Sequence, residues 1–105
     1  MKKIVGVTSC PAGIAHTYLA AESLEKAGKK SGYLVKVETE GAGGIANKLT
    51  EEDIAEAIAV IVAADTSVPM ERFHGKPVLS ISTGDAIRNA AKFIQLIEEG
   101  KIEVY

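Results

Sequence analysis

Ile4-Val5-Gly6-Val7-Thr8-Ser9-Cys10-Pro11-Ala12-Gly13-Ile14-Ala15-His16-Thr17 decides how this chain folds. Residues 4–8 are rich in β-branched side chains, which favour extended backbone. From Ile14 to about Lys30 small and apolar residues recur at helical spacing, with Ala20, Ala21, Leu24, Ala27 and Gly28 on one stripe. The stretch therefore reads as strand, turn and helix, the first unit of an alternating α/β chain.

Working outward, Gly32 closes the helix and residues 34–40 alternate, Val35, Val37 and Thr39 against Lys36, Glu38 and Glu40. That pattern predicts a strand with one solvated side, at the sheet edge. A glycine-rich turn over residues 41–44 leads to Leu49-Thr50-Glu51-Glu52-Asp53-Ile54. There Thr50 caps a short helix, Asp53 answers as a variant capping box and Leu49 staples onto Ile54. Residues 60–64 are apolar without alternation and end at Asp65, as in a strand covered on both faces. After an irregular stretch, residues 78–81 predict a fourth strand. A last helix follows, capped near Ser82 or Thr83, with Ile87, Ala90, Ala91, Ile94 and Ile97 at helical spacing and Gly100 as its stop. Residues 101–105 alternate, as a further short strand would.

Strands alternating with helices imply parallel βαβ units with right-handed crossovers. The two apolar strands must be interior and the amphipathic one must flank the first. The expectation is a single domain over residues 1–105, doubly wound and Rossmann-like, with a four-stranded parallel sheet in the order 2-1-3-4 and helices on both faces. Such sheets place their sites beyond the carboxyl ends of the strands, at the switch point. Here that is the loop after the first strand.

At 105 residues, with 47% hydrophobic and 25% charged residues, the composition is that of one packed globule. A net charge of −2, no Trp and 5% aromatic residues offer neither a phosphate-seeking surface nor base-stacking platforms, so nucleic acid is not an expected partner. The single cysteine closes no internal disulfide, and the apolar run after Lys2 and Lys3 is too short for a signal core or a membrane span. A cytoplasmic setting without direct membrane insertion, as a monomer, is expected.

Cys10 lies between the first strand and the first turn of the first helix. A helix N-terminus exposes unpaired N–H groups and partial positive charge, which favour a thiolate and also receive phosphoryl oxygens. Pro11 restricts the turn and Gly13 allows close backbone approach. The loop thus suits a sulfur nucleophile that accepts a phosphoryl group, with the amides of Ala12, Gly13, Ile14, Ala15, His16 and Thr17 as cradle and His16 and Thr17 as directed donors. No metal or other cofactor is called for. A buried core thiol is the bland alternative for Cys10, and a solvated ring the bland one for His16.

Cys10, five intervening residues, then His16-Thr17 is also the layout of a cysteine phosphatase loop, with histidine where arginine would stand. Arginine is a permanent bidentate clamp; imidazole offers one directed bond. With no glutamate or second cysteine in the loop, a held and transferable phosphocysteine fits better than hydrolysis or a redox cycle. A non-catalytic regulatory binding module is a further alternative. Gly41-Ala42-Gly43-Gly44 lacks the Lys-Ser/Thr ending of a nucleotide loop. Asp65 lacks the acidic neighbours of a phosphoacceptor aspartate and reads as a cap or loop-shaping residue. Val68-Pro69-Met70 with Arg72-Phe73 reads either as exposed docking anchors or as packing over the sheet edge.

Cys10-Pro11-Ala12-Gly13-Ile14-Ala15-His16-Thr17, supported by Val37-Glu38-Thr39-Glu40-Gly41, Ala63-Ala64-Asp65 and Arg72-Phe73-His74-Gly75-Lys76, resembles the IIB component of fructose-type bacterial sugar phosphotransferase systems over nearly the whole chain. The resemblance implies a phosphoenolpyruvate-dependent relay. The cysteine matching Cys10 takes a phosphoryl group from a phosphohistidine of a IIA component. It passes that group to fructose or a fructose-like sugar held by the membrane-embedded IIC component, which recruits the chain to the inner face of the membrane. Ala12 stands where this family usually has Thr, Glu40 where Gln is usual and Ala42 where Ser is common. The first removes a hydroxyl donor, and Glu40 would repel incoming phosphate if it faced the loop.

Overall fold

The computed structural model describes residues 2–10, 14–41 and 44–105. Its sheet is built around β1 (Lys3–Ser9), in which every residue from Ile4 to Ser9 is buried. β2 (Leu34–Gly41) pairs parallel to it on one side and β4 (Ala57–Ala64) on the other; β5 (Val78–Ile81) extends the sheet beyond β4. These four strands take the order expected from the apolar pattern, since the two continuous apolar runs occupy the centre.

The sheet has a fifth member. β3 (Gly44–Ala46) pairs antiparallel to the end of β2, so the order is β3-β2-β1-β4-β5 and the sheet is mixed rather than purely parallel. Three residues without alternation carry no strand signal. They form a strand by pairing with residues 39–41 of β2; β3 opens at Gly44 with φ 108°, a backbone suited to glycine, and Asn47 just beyond it has φ 52°. The tail differs in the opposite sense. Residues 101–105 form only an isolated bridge between Pro77 and Val104, with hydrogen bonds such as Val78 N–H to Glu103 O at 3.0 Å. The bonds come from the residues flanking Pro77, whose own carbonyl accepts the Val60 N–H of β4 at 2.8 Å.

α1 (Ile14–Lys30) and α3 (Thr83–Glu98) share one face of the sheet, where Ala20, Ala21, Leu24, Ala90 and Ile94 close over Ile4, Val37 and Ile61. Gly28 lets α1 approach the sheet closely: a Cβ there would clash with Val35 Cγ2. On the other face α2 (Glu51–Glu56) and a 3-10 turn (Glu71–Phe73) cover Val5, Val7, Val60 and Val62, with Phe73 wholly buried among them. The Val68–Phe73 region is therefore packing over the sheet; Phe73 is no exposed docking anchor.

α2 has the expected cap. Thr50 Oγ1 accepts the Asp53 N–H at 3.0 Å and the Asp53 carboxylate accepts the Thr50 N–H at 2.9 Å. Lys3 and Lys36 each reach the same carboxylate at 2.6 Å and hold it well below the usual carboxylate range, with help from the Thr50 N–H. In a six-residue helix the cap matters more than propensity. Thr50→Ala is expected to lower stability by about 1 kcal/mol in urea denaturation, whereas Thr50→Ser should be close to neutral.

Candidate functional site

Cys10 follows β1 directly and is 9% exposed. Side chains alternate along β1: Ile4 and Thr8 face α1, while Val5 and Val7 face the opposite layer. By the same alternation Cys10 falls on the α1 side. On β4, Ala59, Ile61 and Ala63 face that side too, and the pairing Thr8 with Ala63 and Ser9 with Ala64 continues by one step to set Asp65 beside Cys10. The Asp65 N–H donates to Ser9 O at 2.9 Å, so the ladder reaches this level.

The first turn of α1 is tied down over the strand end. Thr8 Oγ1–H donates to Thr17 O at 3.0 Å, and both threonines are fully buried. Thr17 Oγ1 is itself buried, with no hydrogen-bond partner among the described residues. An orphaned hydroxyl at this depth is costly unless something polar reaches it. His16 is exposed, one residue earlier on the helix. It lines a cleft of about 490 Å³ together with Leu19, Asp65, Thr83, Gly84 and Arg88.

The Asp65 carboxylate closes the far wall. It accepts the Thr83 N–H at 3.1 Å and the Thr83 Oγ1–H at 2.6 Å, at the first turn of α3, whose N-cap is Ser82. Those two bonds hold its pKa below the ordinary aspartate value; the Cys10 thiol and the His16 ring act in the same direction. Asp65 is thus the loop-shaping group the sequence suggested, and, as its place at a strand end near the predicted site implied, it lines the same cleft as His16. Of the loop residues, Cys10 and Thr17 are both buried, His16 stands at the cleft, Ile14 and Ala15 open α1, and Ala12 and Gly13 lie outside the described residues.

A second cluster was missed. Glu38, expected on a solvated strand side, is buried with only 1% of its side chain exposed, and Arg72 grips it with two bonds of 2.9 and 2.6 Å. The Leu49 N–H adds a third at 2.9 Å. Burial pushes this carboxyl up, but the hydrogen bonds from Arg72, Glu40 and Leu49 prevail and hold it at about 2. Alternation predicts only which face a residue takes; the 3-10 turn and the loop before α2 then cover that face. Glu40 shares the face and lies 3.8 Å from Arg72, so it points away from the Cys10 side of the sheet.

Burial and the Glu38 carboxylate raise the Glu40 carboxyl to about 6. Its favourable contribution is complete below about pH 4.5 and is lost as pH rises through about 6. Glu40→Gln should therefore be more stable than the parent at pH 7.5, by about 1 kcal/mol after allowance for solvent screening. The difference should vanish near pH 4.5 in urea denaturation.

The family model "PTS system, Lactose/Cellobiose specific IIB subunit" matches residues 5–96. Among curated relatives, the chain is 48% identical over 99 residues to "PTS system fructose-like EIIB component 2" of Escherichia coli K12, covering 93% of each. It is 50% identical over 91 residues to "PTS system fructose-specific EIIB'BC component" of Vibrio cholerae; this covers 87% of the chain but 16% of that much longer relative. Among solved structures, a domain of a fructose-specific IIABC component from Borrelia burgdorferi superposes with a TM-score of 0.95 at 46% identity, covering 99% of this chain and 98% of that one. Among the described residues no helix is long and apolar enough to cross a membrane. On the fold, the family match over most of its length and these relatives, the chain belongs to the IIB family of the sugar phosphotransferase system, whose members serve as phosphotransferase components in sugar uptake.

Proposed function

We propose that this chain is the phosphoryl-carrying IIB component of a fructose-type, phosphoenolpyruvate-dependent system, with Cys10 as its phosphocysteine nucleophile. The supporting observation is the buried Thr17 hydroxyl, without a partner among the described residues, in the first turn of a 17-residue helix tied by Thr8 to the strand that leads into Cys10. A phosphoryl group on sulfur supplies an acceptor for that hydroxyl. The N–H groups opening α1, those of Ala12 and Gly13 before it and the His16 ring complete the cradle.

In the first half-reaction the sulfur attacks phosphorus, the N–P bond of a phosphohistidine on a IIA component breaks, and the thiol proton passes to the departing imidazole. In the second, the S–P bond breaks as a hydroxyl of a fructose-like sugar on the membrane IIC component takes the phosphoryl group, and its proton returns to sulfur. Both steps are in-line displacements governed by positioning and charge. The chain acts as a monomer at the inner membrane face, meeting its two partners in turn.

A phosphatase reading has less support. Of the two arginines in the sequence, Arg72 is spent on Glu38 across the sheet, and Arg88 sits on α3 at the cleft with its side chain largely exposed. Incubation with a phosphorylated IIA protein, followed by intact and peptide mass spectrometry, is expected to show one phosphoryl group, on Cys10. Rapid multiple turnover of an aryl phosphate would instead establish a phosphatase. Partner binding unaffected by alkylation of Cys10, without any phosphorylation, would establish a binding module.

A further inference from the structure

We propose that Asp65 sets how readily Cys10 gives up its phosphoryl group, by standing as a fixed negative charge beside the sulfur. This deepens the phosphocysteine reading and rests on it. Strand register puts Asp65 next to Cys10 on the same sheet face, and neighbouring strands lie about 4.8 Å apart. The backbone is locked at this level by the Asp65 N–H to Ser9 O bond of 2.9 Å. The carboxylate is locked as well, by the two bonds from Thr83.

Those bonds have a second effect. The N-terminus of α3 opens on the same cleft and, left free, would compete for a phosphoryl group. Asp65 already fills it, so the cradle at α1 is the one left for the phosphoryl oxygens. The same carboxylate then faces a phosphorylated sulfur that carries about two negative charges. Repulsion raises the phosphocysteine relative to the free thiol. It falls away when the S–P bond breaks and the group moves to the sugar oxygen, so it favours onward transfer over storage. Thr83 and the helix dipole soften the repulsion without cancelling it, and Asp65 is exposed enough for solvent to screen it further.

The test is the phosphorylation equilibrium with a phosphohistidine IIA protein, read by intact mass spectrometry at a fixed ratio of the two proteins. It is joined to the rate at which isolated phosphoprotein returns its group to unphosphorylated IIA. Asp65→Asn and Asp65→Ser remove the charge while leaving an acceptor for the Thr83 N–H. Each is expected to shift the equilibrium about fivefold toward phosphocysteine and to slow back-transfer by a similar factor. A merely structural role would instead lower both phosphorylation and transfer. That result, no change in either variant, or opposite signs in the two would overturn the proposal. Asp65→Glu keeps the charge and should remain within about twofold of the parent equilibrium; a shift as large as that of Asp65→Asn would also overturn it. If the parent protein itself takes no phosphoryl group on Cys10, the phosphocysteine reading fails, an outcome distinct from a labelled Cys10 that is indifferent to Asp65.

Discussion

Cys10→Ser is expected to lower phosphoryl acceptance from a phosphohistidine donor by at least about a thousandfold while leaving the fold intact. Serine has nearly the shape of cysteine, but its hydroxyl is a far weaker nucleophile near neutral pH. The Asp65 carboxylate beside it is already bonded twice to Thr83, which leaves it poorly placed to activate a hydroxyl. Cys10 is buried, so the added hydroxyl should cost no more than about 1 kcal/mol, less if it reaches Asp65 as a hydrogen-bond donor. The measurement is the rate of label transfer from the donor, with a urea denaturation midpoint on the same samples. Transfer at the parent rate would show that the phosphoryl group rests on another residue.

The largest stability loss should come from Arg72→Ala. Removing the guanidinium strands Glu38 in the interior, with the Leu49 N–H as its main remaining donor and the repelling Glu40 carboxyl still nearby. Removing one partner of a buried pair costs several kcal/mol, and about 3 is expected here because Arg72 is partly exposed. The pH dependence should also change sign. In the parent protein Glu38 titrates at about 2, below its ordinary value near 4.5, so its stabilising contribution is present above that value and is lost as pH falls toward 2. Without Arg72, burial dominates and raises the carboxyl. Its contribution is then destabilising at neutral pH, and the variant should gain stability on acidification from pH 7 toward pH 5. Urea denaturation at several pH values decides this. Replacing both partners, Glu38→Leu with Arg72→Met, should recover much of the loss, since paired apolar replacements of similar volume remove the desolvation cost along with the attraction.

The order of the four parallel strands, the start of α1 at Ile14 and the caps at Thr50 and Ser82 all follow from patterns within a few residues of one another: apolar runs, helical spacing and hydroxyls before a helix. The placement of Cys10 at a strand end followed by a helix was equally plain in the sequence. Those features depend on local geometry, which a sequence carries directly. The strand over residues 44–46, the burial of Glu38 and the part Asp65 takes beside Cys10 depend on segments far apart in the chain. Glu38 reads as solvated because a period of two says which face it takes and nothing about what covers that face; Arg72, 34 residues on, does the covering. Asp65 reads as the end of an apolar run because its neighbour Cys10 belongs to another strand.

The sequence by itself thus determined the α/β alternation, the interior strands and the loop that holds the sulfur. Only the tertiary structure decided which charges are buried, which carboxylate stands at the sulfur and which hydroxyl has no partner among the described residues. The physical reason is range. Backbone preference and side-chain period are set by near neighbours, whereas desolvation and charge pairing are set by whatever the fold brings across the sheet.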